Sequence, residues 1–402
     1  MGDFYARKII EALRSGISCR EVGECFSSAR PKILRELRDA LENLTDEHHS
    51  AGRIISGKYG EGKTHLLNTV AGIAWTQNIV VSRITLSKET PLSNLHTLYP
   101  KVVQGTYLPG QIQPGIDMLF ERFAYGGPVA SSLLEFCLTG METNRLYFVL
   151  KSYLGTQNDE EKYTLLGDIS GNFMTNAAIR QIYRRIYNQA AVFNTSFVKS
   201  KHVMDYFAFL ARLFIALGYN GWALLFDETE LIGRLSKKAR LSAYYNIALL
   251  SKAEHMESTY SLFAFNASYG PDVIEAKHEH ANIEEALLPP EVKTEIESTL
   301  SGIISATQLA PLNRDETLEI LAGIQRYHGL AYDWHPSLDL EHLLASAEKR
   351  GYLLRTRIRA VVETLDQLHQ YGETGEIRIN ELGQATFEED EREESSLDPF
   401  IQ

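Results

Sequence analysis

One eight-residue segment constrains this chain more than any other. Residues 57–64 read Gly-Lys-Tyr-Gly-Glu-Gly-Lys-Thr and fit the pattern G-x-x-x-x-G-K-[ST] at every fixed position. Residues 53–56 before it are typical of a short strand, and residues 65–73 after it carry apolar side chains at helical spacing. A glycine-rich turn between a strand and a helix can also bind nothing. The complete motif in this context indicates a phosphate-binding loop.

The residue types in this loop suit a nucleoside triphosphate. Glycines let the backbone curve around a phosphate, and the loop N–H groups then form an anion-binding nest at the start of a helix. Lys63 reaches the β- and γ-phosphates, and the hydroxyl of Thr64 is a ligand for Mg²⁺. We therefore predict bound ATP and Mg²⁺. The predicted nucleotide contacts are Gly57, Lys58, Tyr59, Gly60, Glu61, Gly62, Lys63, Thr64 and His65.

A second ATPase signature lies at residues 223–228, Ala-Leu-Leu-Phe-Asp-Glu. The continuous apolar run suits a central parallel strand, and its two carboxylates come at the end where ligands gather in open α/β sheets. We predict that Asp227 contributes to the Mg²⁺ shell through water. Glu228 is predicted to be the base that orients and deprotonates the attacking water. The alternative for this pair is a solvated helix cap.

A third predicted strand, residues 260–265, ends at Asn266. In ATPases of the AAA+ type, a polar residue ends the strand beside the Asp-Glu strand, and its amide helps to position the lytic water. Asn266 fits that catalytic role. An Asn that merely ends the strand as a turn residue fits the sequence as well.

The chain is predicted to be helical after residue 270, and the helix over 354–370 carries three arginines near its start. A small helical lid after the last core strand is the AAA+ arrangement, and such lids present an arginine to the γ-phosphate. Arg355 is the first choice for this role and Arg359 the second. Three solvated arginines on a helix, with Arg357 among them, remain the alternative.

Composition and charge exclude several classes of protein. The formal net charge of −12 argues against coating of nucleic acid by the whole surface. The spacing of the three cysteines matches no zinc site. Their odd number argues against a disulfide framework and favours a reducing, cytoplasmic setting. No apolar run approaches the length of a membrane span, and the first residues lack a signal-peptide pattern, so no membrane partner is expected.

One stretch is basic although the protein is acidic. Residues 169–204 contain no Asp or Glu, and their basic side chains are interleaved with aromatic ones. Such a pattern can neutralise phosphates and stack bases, which predicts contact with DNA or RNA. An amphipathic helix whose arginines face water is the alternative. The candidate nucleic-acid contacts are Arg180, Arg184, Arg185, Lys199 and Lys201.

These features divide the chain into four parts. Residues 1–48 form a helical segment, interpreted either as a docking element for a neighbouring subunit or as a cap on the core. Residues 49–270 form the ATPase core, with a helical insertion at about 95–221 that explains the long separation of Lys63 from Asp227. Residues 271–385 form the helical lid, with a short terminal strand predicted at 375–379. The acidic residues 386–402 form a disordered tail.

Several segments together resemble the ATP-binding P-loop proteins of bacterial BREX phage-defence clusters, of the BrxD type. They are residues 9–16 (Ile-Ile-Glu-Ala-Leu-Arg-Ser-Gly), the predicted phosphate-binding loop at residues 57–64 (called the P-loop below), residues 87–92 (Ser-Lys-Glu-Thr-Pro-Leu), residues 226–230 (Phe-Asp-Glu-Thr-Glu) and residues 355–366. The resemblance implies an AAA+/ORC-like core, that is, an α/β P-loop NTPase with a parallel sheet flanked by helices. It also implies a role in defence or in DNA transactions, beside partners such as a helicase.

Three functional classes follow from the sequence. The leading one is a Mg²⁺-dependent ATPase that switches or moves a partner protein, DNA or both. The second is a nucleotide-gated binding module with little hydrolysis. The third, a small-molecule kinase, is disfavoured because no acceptor-site pattern is visible. A homo-oligomer is compatible with the sequence, and Arg234, Arg240 and Arg314 are each candidates for an arginine finger in a neighbouring site.

Overall fold

A six-stranded, mostly parallel sheet lies at the centre of the computed structural model, which describes residues 3–47, 50–254, 256–349 and 353–374. The strand order is β3-β2-β4-β5-β1-β6, and every pair is parallel except β2 with β3. The strands are β1 (Ala51–Gly57), β2 (Ile79–Thr85), β3 (Thr106–Tyr107), β4 (Gly221–Asp227), β5 (Thr259–Asn266) and β6 (Thr307–Gln308). This confirms the predicted mixed α/β class and the three core strands predicted within residues 53–56, 223–228 and 260–265.

Helices cover both faces of the sheet. Before and beside the P-loop lie α1 (Phe4–Arg14), α2 (Arg20–Cys25), α3 (Pro31–Glu47) and α4 (Lys63–Thr76). Between β2 and β4 lie α5 (Leu95–Gln104), α6 (Pro128–Thr139), α7 (Arg145–Gly155), α8 (Asp159–Ile169), α9 (Asn176–Tyr187) and α10 (Lys199–Ala216). The later helices are α11 (Lys237–Lys252), α12 (Glu279–Glu285), α13 (Pro290–Ile304), α14 (Arg314–Tyr332), α15 (Leu340–Glu348) and α16 (Leu354–Tyr371). Shorter turns of other helix types span Asp117–Glu121, Thr229–Arg234 and Gly270–Glu275.

Strand β4 is buried along its whole length, which explains its continuous apolar sequence. Its alternate side chains enter two different cores. Trp222, Leu224 and Phe226 pack among α5–α11 and α13, whereas Ala223 and Leu225 pack against α3 and α4. The sheet therefore forms the middle of three layers.

The helices between β2 and β4 share one apolar core with a face of the sheet. This agrees with the predicted helical character of residues 95–221; their assignment as an insertion in an ATPase core stays a prediction. The predicted strand at 375–379 and the predicted disordered tail at 386–402 lie outside the described residues.

The N-terminal helices divide between two cores. Helices α1 and α2 pack with α14, α15 and α16 in one apolar cluster, while α3 covers α4 and the sheet. The first two helices and the C-terminal helices therefore form one body beside the P-loop. Amphipathic periodicity predicts such apolar faces, but it does not indicate which distant helix covers them.

Candidate nucleotide-binding site

The P-loop connects β1 to α4 with the backbone geometry that its glycines allow. Gly60 and Gly62 have φ values of +78° and +92°, in the left-handed region that favours glycine. The loop is braced from within, because the N–H of Lys58 donates to Glu61 Oε2 over 2.8 Å. Lys63 is the first residue of α4, so its backbone N–H lies at the helix N-terminus.

The side chain of Lys63 is buried between two oxygen acceptors. Its Nζ donates to the carbonyl of Gly57 over 3.2 Å and lies 3.5 Å from Glu230 Oε1. Glu230 is only 3% exposed, and its Oε2 has no hydrogen-bond partner among the described residues. Burial raises the pKa of Glu230, while Lys63 acts in the opposite direction. Sequence analysis assigned no primary role to Glu230, because its spacing from Lys63 says nothing about contact.

The two residues predicted to hold Mg²⁺ lie together. Thr64 Oγ1 donates to Asp227 Oδ2 over 2.6 Å, and Asp227 is 8% exposed. A hydroxyl and a carboxylate that face each other beside a phosphate-binding loop are the oxygen donors that Mg²⁺ prefers. The residues present therefore fit this ion.

Glu228 directly follows β4 in an unusual backbone conformation. Its φ is +57°, in the left-handed region that residues other than glycine seldom adopt. Its N–H donates to Asp227 Oδ1 over 3.0 Å, and its side chain lines the cavity above the P-loop. Burial and the neighbouring Asp227 raise the pKa of Glu228, whereas Lys63 and Arg355 lower it.

Parallel pairing places Asn266 beside the first residue of the P-loop. Asn266 pairs with Gly57 at the carboxyl edge of the sheet, and β5 lies between β4 and β1. The Asn266 Oδ1 accepts a hydrogen bond from the N–H of Ser268 over 3.1 Å, as in a turn. The residue thus has the contact of a turn residue and the position expected of a water-positioning amide.

Of the arginines at the start of α16, Arg355 lies in the cavity. Its Nη1 donates to the Tyr59 hydroxyl over 3.0 Å, and its guanidinium lies 5.2 Å from the centre of that ring. Arg359 instead donates to the carbonyl of Arg14 over 3.2 Å. The Nη1 atom of Arg357 lies 3.7 Å from Oε1 of Glu348. The geometry agrees with Arg355 as first choice, while its catalytic role remains a prediction.

An apolar cavity adjoins the P-loop between the two ends of the described chain. Helices α1 and α2 form one wall, and α14 and α16 form another. His65 closes it beside α2, because its Nε2 lies 2.9 Å from the carbonyl of Phe26. The apolar side chains that line the cavity are Leu13, Ile17, Val22, Phe26, Ala29, Leu312, Ile320, Leu354 and Ile358. Sequence analysis did not identify this wall, which depends on packing between distant segments.

The basic stretch at 169–204 lies far from the P-loop in sequence, on α9, α10 and their connection. Its five candidate side chains are exposed. Acids from outside the stretch lie beside two of them, since Arg185 pairs with Glu161 on α8, and Lys201 pairs over 2.7 Å with Glu142 on the connection between α6 and α7.

The aromatic side chains of this stretch face inward. Tyr183 is buried, and Phe173, Tyr187, Phe193 and Phe197 pack against the central core. Their rings contact other aromatic rings and nearby cations. For example, the guanidinium carbon of Arg180 lies 4.9 Å from the centre of the Phe193 ring. The geometry favours the amphipathic alternative for α9, and nucleic-acid contact by the basic side chains remains a prediction.

The chain matches one known protein family over most of its length. Residues 4–125 and 142–381 match the family model of the BREX system ATP-binding proteins BrxC/D. The chain belongs to this family. No curated protein sequence matches it. The cavity, the P-loop and the paired carboxylates thus lie in a BREX system ATP-binding protein, and no helix in the described part of this family member is long and apolar enough to cross a bilayer.

The structure also separates the three candidate arginine fingers of this BREX family member. Arg240 is 2% exposed and pairs with the buried Glu279, which disfavours it as a finger for a neighbouring site. Arg314 is exposed and pairs with Glu341. Arg234 lies close enough to Glu228 to lower the pKa of that carboxyl.

Proposed function

We propose that this BREX family member is a Mg²⁺-dependent ATP hydrolase with an AAA+/ORC-like core. The observation that carries the proposal is the convergence of Lys63, Thr64, Asp227 and Glu228 at one edge of the sheet. The strand order supports the AAA+ assignment, because β5 brings Asn266 between the P-loop strand and the acid strand. Of the predicted lid region 271–385, α13 shares a core with the sheet, and the helices from α14 to α16 act as the lid.

Each residue has a part that follows from its position. Lys63 and the loop N–H groups hold the phosphates. Thr64 and, through water, Asp227 would hold Mg²⁺, and a bound ion there would supply neutralisation of the phosphate charge. Glu228 accepts the proton of the attacking water, and Asn266 helps to position that water. Arg355 approaches the γ-phosphate from the lid. Phosphoryl transfer depends mainly on such positioning and charge stabilisation.

The apolar cavity is the proposed site of the nucleotide base. Its walls are aliphatic and aromatic, as is usual for ligand pockets, and it opens directly onto the P-loop. Because α1, α2, α14 and α16 line this cavity, a base bound there would link nucleotide binding to the relative position of these helices. That link is the proposed route from ATP to a partner in the cytoplasm: a helicase-like defence protein, DNA, or a second copy of the chain.

The proposal predicts measurable ATP turnover by the purified chain in the presence of Mg²⁺. The experiment compares turnover alone, with duplex DNA and with single-stranded DNA, at the same ionic strength in each case. Stimulation by one form of DNA would identify the partner, whereas equal rates would favour a protein partner. Failure to bind ATP would contradict the proposed function.

A nucleotide-gated binding module is the second candidate function. Two of the three candidate arginine fingers favour it. Arg240 is buried, and Arg314 pairs with Glu341, so both are less available to a neighbouring site. Tight ATP binding without turnover under all three conditions would support this candidate over the hydrolase.

The basic stretch gives a separate prediction about DNA. Replacing Arg180, Arg184 and Arg185 by Ala should weaken DNA binding and flatten its salt dependence. Each lost phosphate contact should reduce the magnitude of the negative slope of log K against log salt by about 0.7 to 0.9. ATP affinity should barely change. Binding measured by fluorescence anisotropy at several salt concentrations gives the slope.

A matched control removes the same charge from another surface. Lys32, Arg35 and Arg38 are exposed on α3, outside the basic stretch, and their triple Ala variant loses the same three positive charges. An equal effect of both triple variants would show a dependence on net charge alone. An unchanged slope in the Arg180, Arg184 and Arg185 variant would mean that the basic stretch is structural or faces a protein.

A further inference from the structure

Arg30 lies where three segments of the chain meet. It directly precedes α3, and its φ of +59° is in the left-handed region that non-glycine residues rarely adopt. Its backbone N–H donates to Glu316 Oε1 over 2.8 Å. Glu316 also closes the capping box at the N-terminus of α14 with Asn313. The backbone of Arg30 is therefore held in an unusual conformation by the C-terminal helices.

The guanidinium of Arg30 bridges two carbonyl oxygens from different segments. Its Nη2 donates to the carbonyl of Glu61 in the P-loop over 2.6 Å, and its Nε donates to the carbonyl of Ala310 over 3.0 Å. Ala310 lies shortly after β6, on the connection to α14. The rigid fork of an arginine fixes the relative position of two such acceptors, which a lysine ammonium cannot do.

The contact with Glu61 determines the direction of a phosphate-binding donor. The Glu61–Gly62 peptide is planar and trans, so the carbonyl oxygen of Glu61 and the N–H of Gly62 point in opposite directions. A donor that holds the oxygen thereby fixes the N–H. Gly62 needs this support because glycine restricts its own backbone less than any other residue.

We infer that Arg30 is a positioning residue that orients the Gly62 N–H towards bound phosphate and couples the P-loop to the C-terminal helices. This inference rests on the proposed nucleotide site and adds a residue that does not belong to the P-loop motif. Its ligand class is a nucleoside di- or triphosphate, because the oriented donor acts on phosphate and not on the base.

The test measures binding of ATP, ADP, AMP and adenosine to the full chain by calorimetry. Arg30→Met removes the charge and the donors at similar length, and Arg30→Lys keeps the charge but loses the fork. Both variants should bind ATP and ADP about tenfold more weakly, as expected for the loss of one charge-assisted hydrogen bond. AMP and adenosine should bind within about twofold of the parent.

Arg7 supplies a matched control. Its Nε donates to the carbonyl of Ala331 over 2.8 Å, so it also joins the N-terminal helices to the C-terminal ones, but it does not contact the P-loop. Arg7→Lys and Arg7→Met should bind all four ligands as the parent does. Thermal unfolding of each variant checks that it is folded, and if Arg30→Met is not, Arg30→Lys decides.

Two results would overturn the inference while leaving the proposed function intact. Parent-like ATP affinity of Arg30→Lys would mean that charge alone matters. An equal loss for all four ligands would mean that Arg30 supports only the cavity. Failure of the parent chain itself to bind ATP would overturn the proposed function, and this inference with it.

Discussion

Replacing Lys63 by Ala should abolish ATP binding, with a loss of affinity of at least about 100-fold, or roughly 2.8 kcal/mol. The substitution removes the one buried ammonium at the P-loop, which the backbone N–H groups alone replace poorly. Titration calorimetry with ATP and Mg²⁺ measures the loss. The control Lys101→Ala removes an exposed lysine from α5 and should bind ATP as the parent does.

This variant also leaves Glu230 buried without its cation. Removing one member of a buried ion pair costs on the order of 3–5 kcal/mol, so Lys63→Ala alone is expected to be less stable. The double variant Lys63→Ala/Glu230→Gln removes both charges and should recover much of the thermal stability without recovering ATP binding. Tight ATP binding by either variant would contradict the P-loop assignment.

Replacing Glu228 by Gln should preserve ATP binding and eliminate turnover. The amide has the shape of the carboxylate but lacks the basic oxygen, and general-base catalysis typically contributes about 10²- to 10⁴-fold to the rate. A fall in kcat of that size, with ATP affinity within about threefold of the parent, is the expected result. Single-turnover and steady-state assays with Mg²⁺ measure it.

The control for this variant is Glu285→Gln. Glu285 is exposed on α12 and pairs with Lys237, so its substitution makes the same chemical change away from the P-loop. If Glu228→Gln kept the parent kcat, the base would have to be another group. Glu230 and Asn266 would then be tested next, since both lie at the same edge of the sheet.

The sequence predicted those parts of the site that are local in the chain. The P-loop motif and the Asp-Glu pair are contiguous, and parallel strands bring their carboxyl ends to one edge of a sheet. The predicted apposition of Thr64 and Asp227 follows from that rule alone. The start of α14 is local in the same way, because Asn313 followed by Asp315 and Glu316 is a typical helix cap and first turn.

Features that depend on distant packing were not predictable in this way. Nothing in the sequence pairs Lys63 with Glu230 or Arg30 with Glu61, because both contacts depend on how separate segments pack. The basic stretch illustrates the opposite error. Residues 169–204 contain no acid, yet Glu161 and Glu142 pair with its side chains from other segments of the chain. A charge pattern along the chain therefore overstates the charge of the folded surface.

The shared body of α1, α2 and α14–α16 has a consequence for biosynthesis. The hydrogen bond from Arg359 to Arg14 joins residues 345 positions apart, so this body is complete only after nearly the whole described chain has left the ribosome. The entropy of closing so long a loop must be overcome before the cavity wall exists. A nascent chain that ends after β5 already has its P-loop and its carboxylates but lacks that wall. Synthesis of α14–α16 must therefore precede formation of the wall around the proposed nucleotide site, and chains that end after β5 are expected to bind ATP more weakly than the described chain.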